Sequence, residues 1–172
     1  LRGTAVSVAA AGTLALPIGT AKQSEIIATF MLPKTAATLM VTISDVKPPP
    51  TPAEGALSHT HPHTHSPTSN TTVCLVDYIP GAGNVTVGCG GVNDTVPLLP
   101  SETTFEIRVY SDATFLEAYF QQGRAAMTVV AGLNGATTLS VGSSVASVGV
   151  KATAWPIKGA ETTACSKFTL CL

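Results

Sequence analysis

At 172 residues the chain has room for one domain with a core of its own. Charged residues make up only 11%, against a usual share of roughly 25%, and the net charge is −1. That leaves no basic surface to neutralise nucleic-acid phosphates. Apolar residues reach 45%, but the most apolar stretch, Val6 to Ile18, is short and broken by Ser7, Gly12, Thr13 and Pro17. It is neither a bilayer span nor a clean signal-peptide core.

In chain order, Thr4 to Ala9 alternates with Val6 and Val8 on one face, and Leu14, Leu16 and Ile18 alternate after it. Residues 1–22 therefore read as an apolar strand extension. It forms either an edge strand of the same domain or a strand donated to a neighbouring subunit. Glu25 to Pro33 and Thr38 to Asp45 are predicted strands, with Ile26, Ala28 and Phe30 sharing one face and Leu39, Val41 and Ile43 another. Residues 46–70 are rich in Pro, Thr, Ser and His, with little to bury, and read as an extended loop insertion. The loop composition also invites O-glycosylation.

All four histidines lie in this loop, at His59, His61, His63 and His65. In an extended segment such spacing places imidazoles on one side, where they could chelate a transition metal. The plainer reading is a solvated loop without a defined site, because no nearby cysteine completes a ligand set. No cofactor is implied.

Val73 to Tyr78 and Asn84 to Cys89 flank a Pro80-Gly81-Ala82-Gly83 turn and predict a hairpin. Gly90 to Pro100 reads as a loop. Phe105, Ile107 and Val109, then Leu116, Ala118 and Phe120, then Ala125 to Val130, predict an antiparallel meander with an apolar inner face. Ser111-Asp112-Ala113-Thr114 and Gln122-Gly123 are its turns. Leu133-Asn134-Gly135-Ala136 predicts a further hairpin turn, followed by closing strands over Thr137 to Val141 and Val145 to Ile157. No segment argues for a helix. The fold class is all-β: an antiparallel β-sandwich over residues 23–158, with the Pro/Thr/His-rich insertion and a tail at 159–172.

The four cysteines, an even number, fit an oxidising, extracellular compartment. Three connectivities exist; Cys74 with Cys89 would clasp the hairpin, and Cys165 with Cys171 would close the tail. No C-x-x-C zinc motif occurs. Sequons at Asn70, Asn84 and Asn93 predict N-linked glycans, which would also supply the solubility that so few charges leave unexplained. The chain starts at Leu1 without Met and reads as processed.

The meander also carries a resemblance. Arg108, Asp112, Thr114, Glu117, Tyr119, Gly123-Arg124 and Thr128 follow the order R-x-x-x-D-x-S-x-x-E-x-F-x-x-x-G-R-x-x-x-T. This run is similar to the signature of the C-terminal β-sandwich of glycoside hydrolase family 32, the invertases, inulinases and levanases. Thr114 stands where Ser is usual and Tyr119 where Phe is usual. Ser24 to Phe30 is similar to an early strand of that sandwich, and Val148 to Ile157, with Ala154-Trp155, to its last. The resemblance implies an accessory module, because that family's catalytic carboxylates sit in an N-terminal propeller on W-M-N-D-P-N, R-D-P and E-C motifs, and none occurs here.

Other chemistry is missing too. There is no nucleophile elbow, no triad and no convincing phosphate loop. Asp112 is expected to cap a turn, and Glu117 with Arg124 to form an ion pair across the hairpin. Trp155 reads as a core aromatic. Tyr110 and Tyr119 are predicted on outward faces of adjacent strands, where they would form a shared platform; with Trp155 they are the candidate glycan-binding residues.

Three functional readings follow. The first is a secreted, glycosylated, non-catalytic sandwich that packs on copies of itself or on a partner chain. Its specific form is fibre assembly, with Val6, Val8, Leu14, Leu16 and Ile18 of a donated strand filling a neighbour's groove. The second is a fructan-type carbohydrate-binding module. The third is the processed C-terminal chain of a family 32-like hydrolase.

Overall fold

The computed structural model describes residues 6–8, 12–15, 23–46, 71–112, 114–132, 136–146 and 148–157. The 46–70 loop beyond Val46, with its four histidines and Asn70, lies outside them. So do Leu16, Ile18, Cys165 and Cys171.

The described residues form twelve strands: β1 (Val6–Val8), β2 (Gly12–Ala15), β3 (Gln23–Met31), β4 (Ala37–Val46), β5 (Thr71–Tyr78), β6 (Asn84–Cys89), β7 (Val92–Pro97), β8 (Thr104–Asp112), β9 (Phe115–Phe120), β10 (Ala125–Val130), β11 (Ala136–Ser143) and β12 (Val150–Pro156). They form two six-stranded sheets, ordered β1-β12-β3-β8-β9-β10 and β2-β11-β4-β5-β6-β7. Every pairing is antiparallel. The expected all-β sandwich is the fold observed.

The alternation read from the sequence is what closes the sandwich. Ile26, Ala28 and Phe30 of β3, Phe105, Ile107 and Val109 of β8, and Leu116, Ala118 and Phe120 of β9 are all buried. From the second sheet come Leu39, Val41 and Ile43 of β4, Val76 of β5, Val85 and Val87 of β6 and Leu139 of β11, equally buried. Two inner faces of period-two apolar residues interdigitate in this way across a sandwich core. One polar pair enters the core: Ser24 Oγ and Ser111 Oγ are 2.8 Å apart, one hydroxyl donating to the other.

The N-terminal strands pair within the chain, β1 on β12 and β2 on β11, one at the edge of each sheet. Cys74 and Cys89 are directly opposed on β5 and β6 and are disulfide-bonded, with Cα atoms 4.0 Å apart. In the turn from β6 to β7, just after Cys89, Gly90 adopts φ +57, and a Cβ there would lie 2.9 Å from Val129 Cγ1 of β10. Only glycine lets the second sheet approach the first so closely at this point.

Three expectations change. The stretch Gly90 to Pro100 contains the strand β7. Its signal was hidden because it is an edge strand, with Val96 its one buried side chain and a proline at its end. Ser111 and Asp112 belong to β8 and pair with Ser24 and Gln23, so the turn is tighter than the four residues expected. The expected hairpin across Leu133 to Ala136 is not formed, although Leu133, Asn134 and Gly135 themselves lie outside the described residues. β10 ends in the first sheet and β11 begins in the second, so the chain crosses between sheets there. Turn chemistry permits a reversal but does not choose the partner.

A candidate binding face on the outer side of the first sheet

Because the inner face takes alternate residues, the others are displayed on the outer side. On β12 the small residues Ala152 and Ala154 point inward, which turns Trp155 out, half-buried on the outer face. This corrects its expected place in the core. The reason is register: in this strand the bulky residue falls on the outward phase.

Register then sets one continuous row across five strands. Trp155 is opposite Glu25, Glu25 opposite Tyr110, Tyr110 opposite Glu117, and Glu117 opposite Thr128. The next row holds Thr153, Ile27, Arg108, Tyr119 and Ala126. All three candidate glycan-binding residues therefore share one face.

Glu25 is only 3% exposed although it sits on an outer face. The Tyr110 hydroxyl donates to its Oε1 at 3.1 Å, and Arg108 Nε lies 3.8 Å from the same oxygen. Arg108 Nε is equally 3.8 Å from Glu106 Oε1, and it has no hydrogen-bond partner among the described residues. The Tyr119 hydroxyl donates to Glu117 Oε2 at 3.4 Å. The Glu117 charge pushes that phenol above its ordinary range, so it remains a donor at neutral pH.

The two tyrosine rings meet edge to face, with centroids 5.8 Å apart and planes at 87°. They make a corner and not the flat platform expected. Between them lies an open depression of about 480 Å³, lined by Glu106, Arg108, Tyr110, Tyr119, Gln122 and Gly123.

One end of the depression is a strained turn. Gln121, Gln122 and Gly123 adopt φ values of 46°, 60° and 91° in succession. Gln121 is buried and braces the turn: its Nε2 donates to Glu102 Oε1 at 2.7 Å and Thr104 O at 3.2 Å, while its Oε1 accepts Glu106 N–H at 2.9 Å. Arg124 completes the brace. It forks onto Glu102 at 2.7 and 2.8 Å and donates to Pro97 O at 3.0 Å. The Arg124 hydrogen bond is the main cause that holds Glu102 down from 4.5 to about 2. Arg124 thus pairs with Glu102 and not with Glu117, which register places opposite Tyr110 and Thr128. The partner Glu102 lies outside the motif, in the turn before β8, where spacing gave no clue.

Glu25, Arg108 and Glu106 were not singled out in advance as site residues. Glu25 carries one visible signal, as the single charged residue of β3. Asn84 and Asn93 are exposed on β6 and β7 of the other sheet. Among the described residues no group of His, Cys, Asp and Glu converges to hold a metal ion.

No family model matches this chain, and no curated protein matches it. Solved structures do match in fold. A family GH32 β-fructofuranosidase from Bombyx mori is 18% identical with a TM-score of 0.51, over 92% of this chain and 28% of that one. A β-fructofuranosidase from Schwanniomyces occidentalis is 9% identical with a TM-score of 0.53, over 91% and 33%. A sucrose-6-phosphate hydrolase from Lactobacillus gasseri is 12% identical with a TM-score of 0.51, over 92% and 29%. The chain spans about three-tenths of the length of the enzymes it matches, the share of a C-terminal β-sandwich module. The likeness shows the fold.

Proposed function

We propose that this chain is a non-catalytic, extracellular β-sandwich serving as the accessory unit beside a catalytic propeller of a family 32-type fructan hydrolase. One observation carries the reading: both sheets together correspond to a part of sugar-hydrolysing enzymes and leave most of those enzymes unmatched. The propeller's carboxylate motifs are absent from the sequence, and glycoside hydrolysis depends on such a pair. The Cys74–Cys89 disulfide supports an oxidising compartment, and exposed Asn84 and Asn93 support N-linked glycans on the second sheet. Fold likeness alone does not assign activity, so the partner must be found directly.

The test is native purification followed by light scattering and peptide mapping. A propeller on the same polypeptide or in a stable complex is expected, with fructose released from sucrose or inulin only when it is present. Hydrolysis by these 172 residues alone would overturn the reading. Packing on copies of itself by strand donation is the competing arrangement. It requires β1 to leave β12 and β2 to leave β11. It predicts polymers that disappear when residues 1–20 are deleted, and the same scattering series separates the two.

A second reading attaches to the outer face of the first sheet, where a depression lined by two tyrosines, an arginine and a glutamate has the composition of a glycan-binding site. Its volume falls within the roughly 300–1,000 Å³ of small-ligand sites.

A further inference from the structure

We infer that the depression between Tyr110 and Tyr119 holds the neutral terminal unit of a glycan at its chain end, and does not track along the chain's interior. The inference rests on the glycan-binding reading and specifies it. Three observations carry it.

The first is shape. Aromatic residues that grip a polymer along its length present coplanar faces, so that successive units stack. Tyr110 and Tyr119 stand at 87°. One ring offers a face and the other an edge, and the two walls enclose a single unit. The Gln122-Gly123 turn lines the same depression and closes one side of it. It is held in place by the Gln121 and Arg124 hydrogen bonds to Glu102, so it is a fixed wall.

The second is charge. Glu25, Glu106 and Glu117 surround Arg108. The other cation of this outer face, Lys151, stands on β12, two strands from Arg108, and does not line the depression. Like charge excludes carboxylated or sulfated sugars and selects a neutral ligand.

The third is hydrogen bonding. A sugar hydroxyl both donates and accepts, and it is best met by donors and acceptors side by side. Arg108 offers its guanidinium, Glu106 a carboxylate, and Tyr110, whose proton is committed to Glu25, an accepting oxygen. Of the large exposed apolar side chains of this sheet, Phe115 and Val130 are paired at the far end of β9 and β10 and Met31 ends β3; none of them lines the depression. That separates it from a protein-docking patch, whose buried centre is apolar.

The experiment is a calorimetric titration of the full chain with inulin- and levan-type oligosaccharides of increasing length, their parent polymers, neutral glucans, galactans and mannans, and sulfated counterparts. One site per chain is expected for at least one neutral series. Its dissociation constant, expressed per chain end, should not change with length. Tyr119→Ala and Arg108→Ala should each weaken binding about tenfold, while Thr42→Ala on the other sheet's outer face should not. Circular dichroism identical to the parent shows that the variants fold. Affinity that rises with the number of internal units would overturn the terminal-unit inference and leave glycan binding standing, as would tighter binding of the sulfated series. Flat titrations throughout would overturn both.

Discussion

The outer face of the first sheet carries Trp155, Glu25, Tyr110, Glu117, Arg108 and Tyr119 on four adjacent strands. The outer face of the second sheet carries Thr38, Met40, Thr42 and Ser44 on β4, Thr71, Val73, Leu75 and Asp77 on β5, and Thr138 and Ser140 on β11. There the side-chain bonds are short and local, such as Thr38 Oγ1 donating to Asp77 Oδ1 at 2.7 Å. Both faces stand on the same inward alternation of apolar residues. Small hydroxyl side chains are enough to keep a sheet wet and to favour strand backbone. Aromatics, a fork of guanidinium and a buried carboxylate are more than solubility needs. The proposed recognition rests on this contrast, and the two described sequons fall on the other sheet, where a glycan would not cover the outer face of the first.

The comparison can be broken at several strengths. The largest effect should come from the shared inner face. Phe105→Ala removes a side chain with no exposure and should cost about 3–5 kcal/mol in urea unfolding. A loss under about 1 kcal/mol would mean that the core is not packed as described. Next comes the second sheet's clasp. Its disulfide spans a sequence separation of 15, so reduction should cost about 3 kcal/mol by loop entropy, read as a lower unfolding midpoint in reductant. Tyr119→Ala, on the outer face, should cost only about 1 kcal/mol, because it loses an edge-to-face contact but opens no cavity. If it unfolds the protein, the face is structural and the functional contrast collapses.

The smallest effect is in pH. Glu102 is lowered from 4.5 to about 2 in the fold, so its contribution is present above its unfolded value and is lost as pH falls from 4.5 towards 2. Glu102→Gln should therefore narrow its stability gap to the parent across that window and hold it constant at neutral pH. Arg124 is about one-third exposed, which keeps the gap small.

The inner faces were legible because burial imposes a strict period of two. Phe105, Ile107 and Val109 could be assigned from alternation alone, and so could Leu116 and Phe120. The Cys74–Cys89 bond was legible because a turn between two alternating runs sets the two cysteines opposite. Pairing across the sheet was not legible. That Trp155 lies beside Glu25, or that Arg124 meets Glu102, depends on strands distant in sequence coming into register, and a single strand carries no record of its neighbour. β7 escaped because only Val96 reports its burial.

The order in which the chain visits its two sheets also has a kinetic consequence. β4, β5, β6 and β7 follow one another and pair in sequence, so the second sheet is largely a run of near-neighbour contacts. The first sheet joins Gln23 to Asp112 and Pro156 to Ser24, closures that span most of the chain. Contacts of long sequence separation form late, because loop entropy must be met before they gain anything. The β4–β7 run and the β8–β10 meander are then the early parts of the molecule, and the β2, β3, β11 and β12 closures the late ones. The outer row that runs from Glu117 through Tyr110 and Glu25 is completed by Trp155 only when β12 docks on β3, so a chain interrupted before residue 150 would keep the Tyr110–Tyr119 corner but leave the β3 edge unpaired.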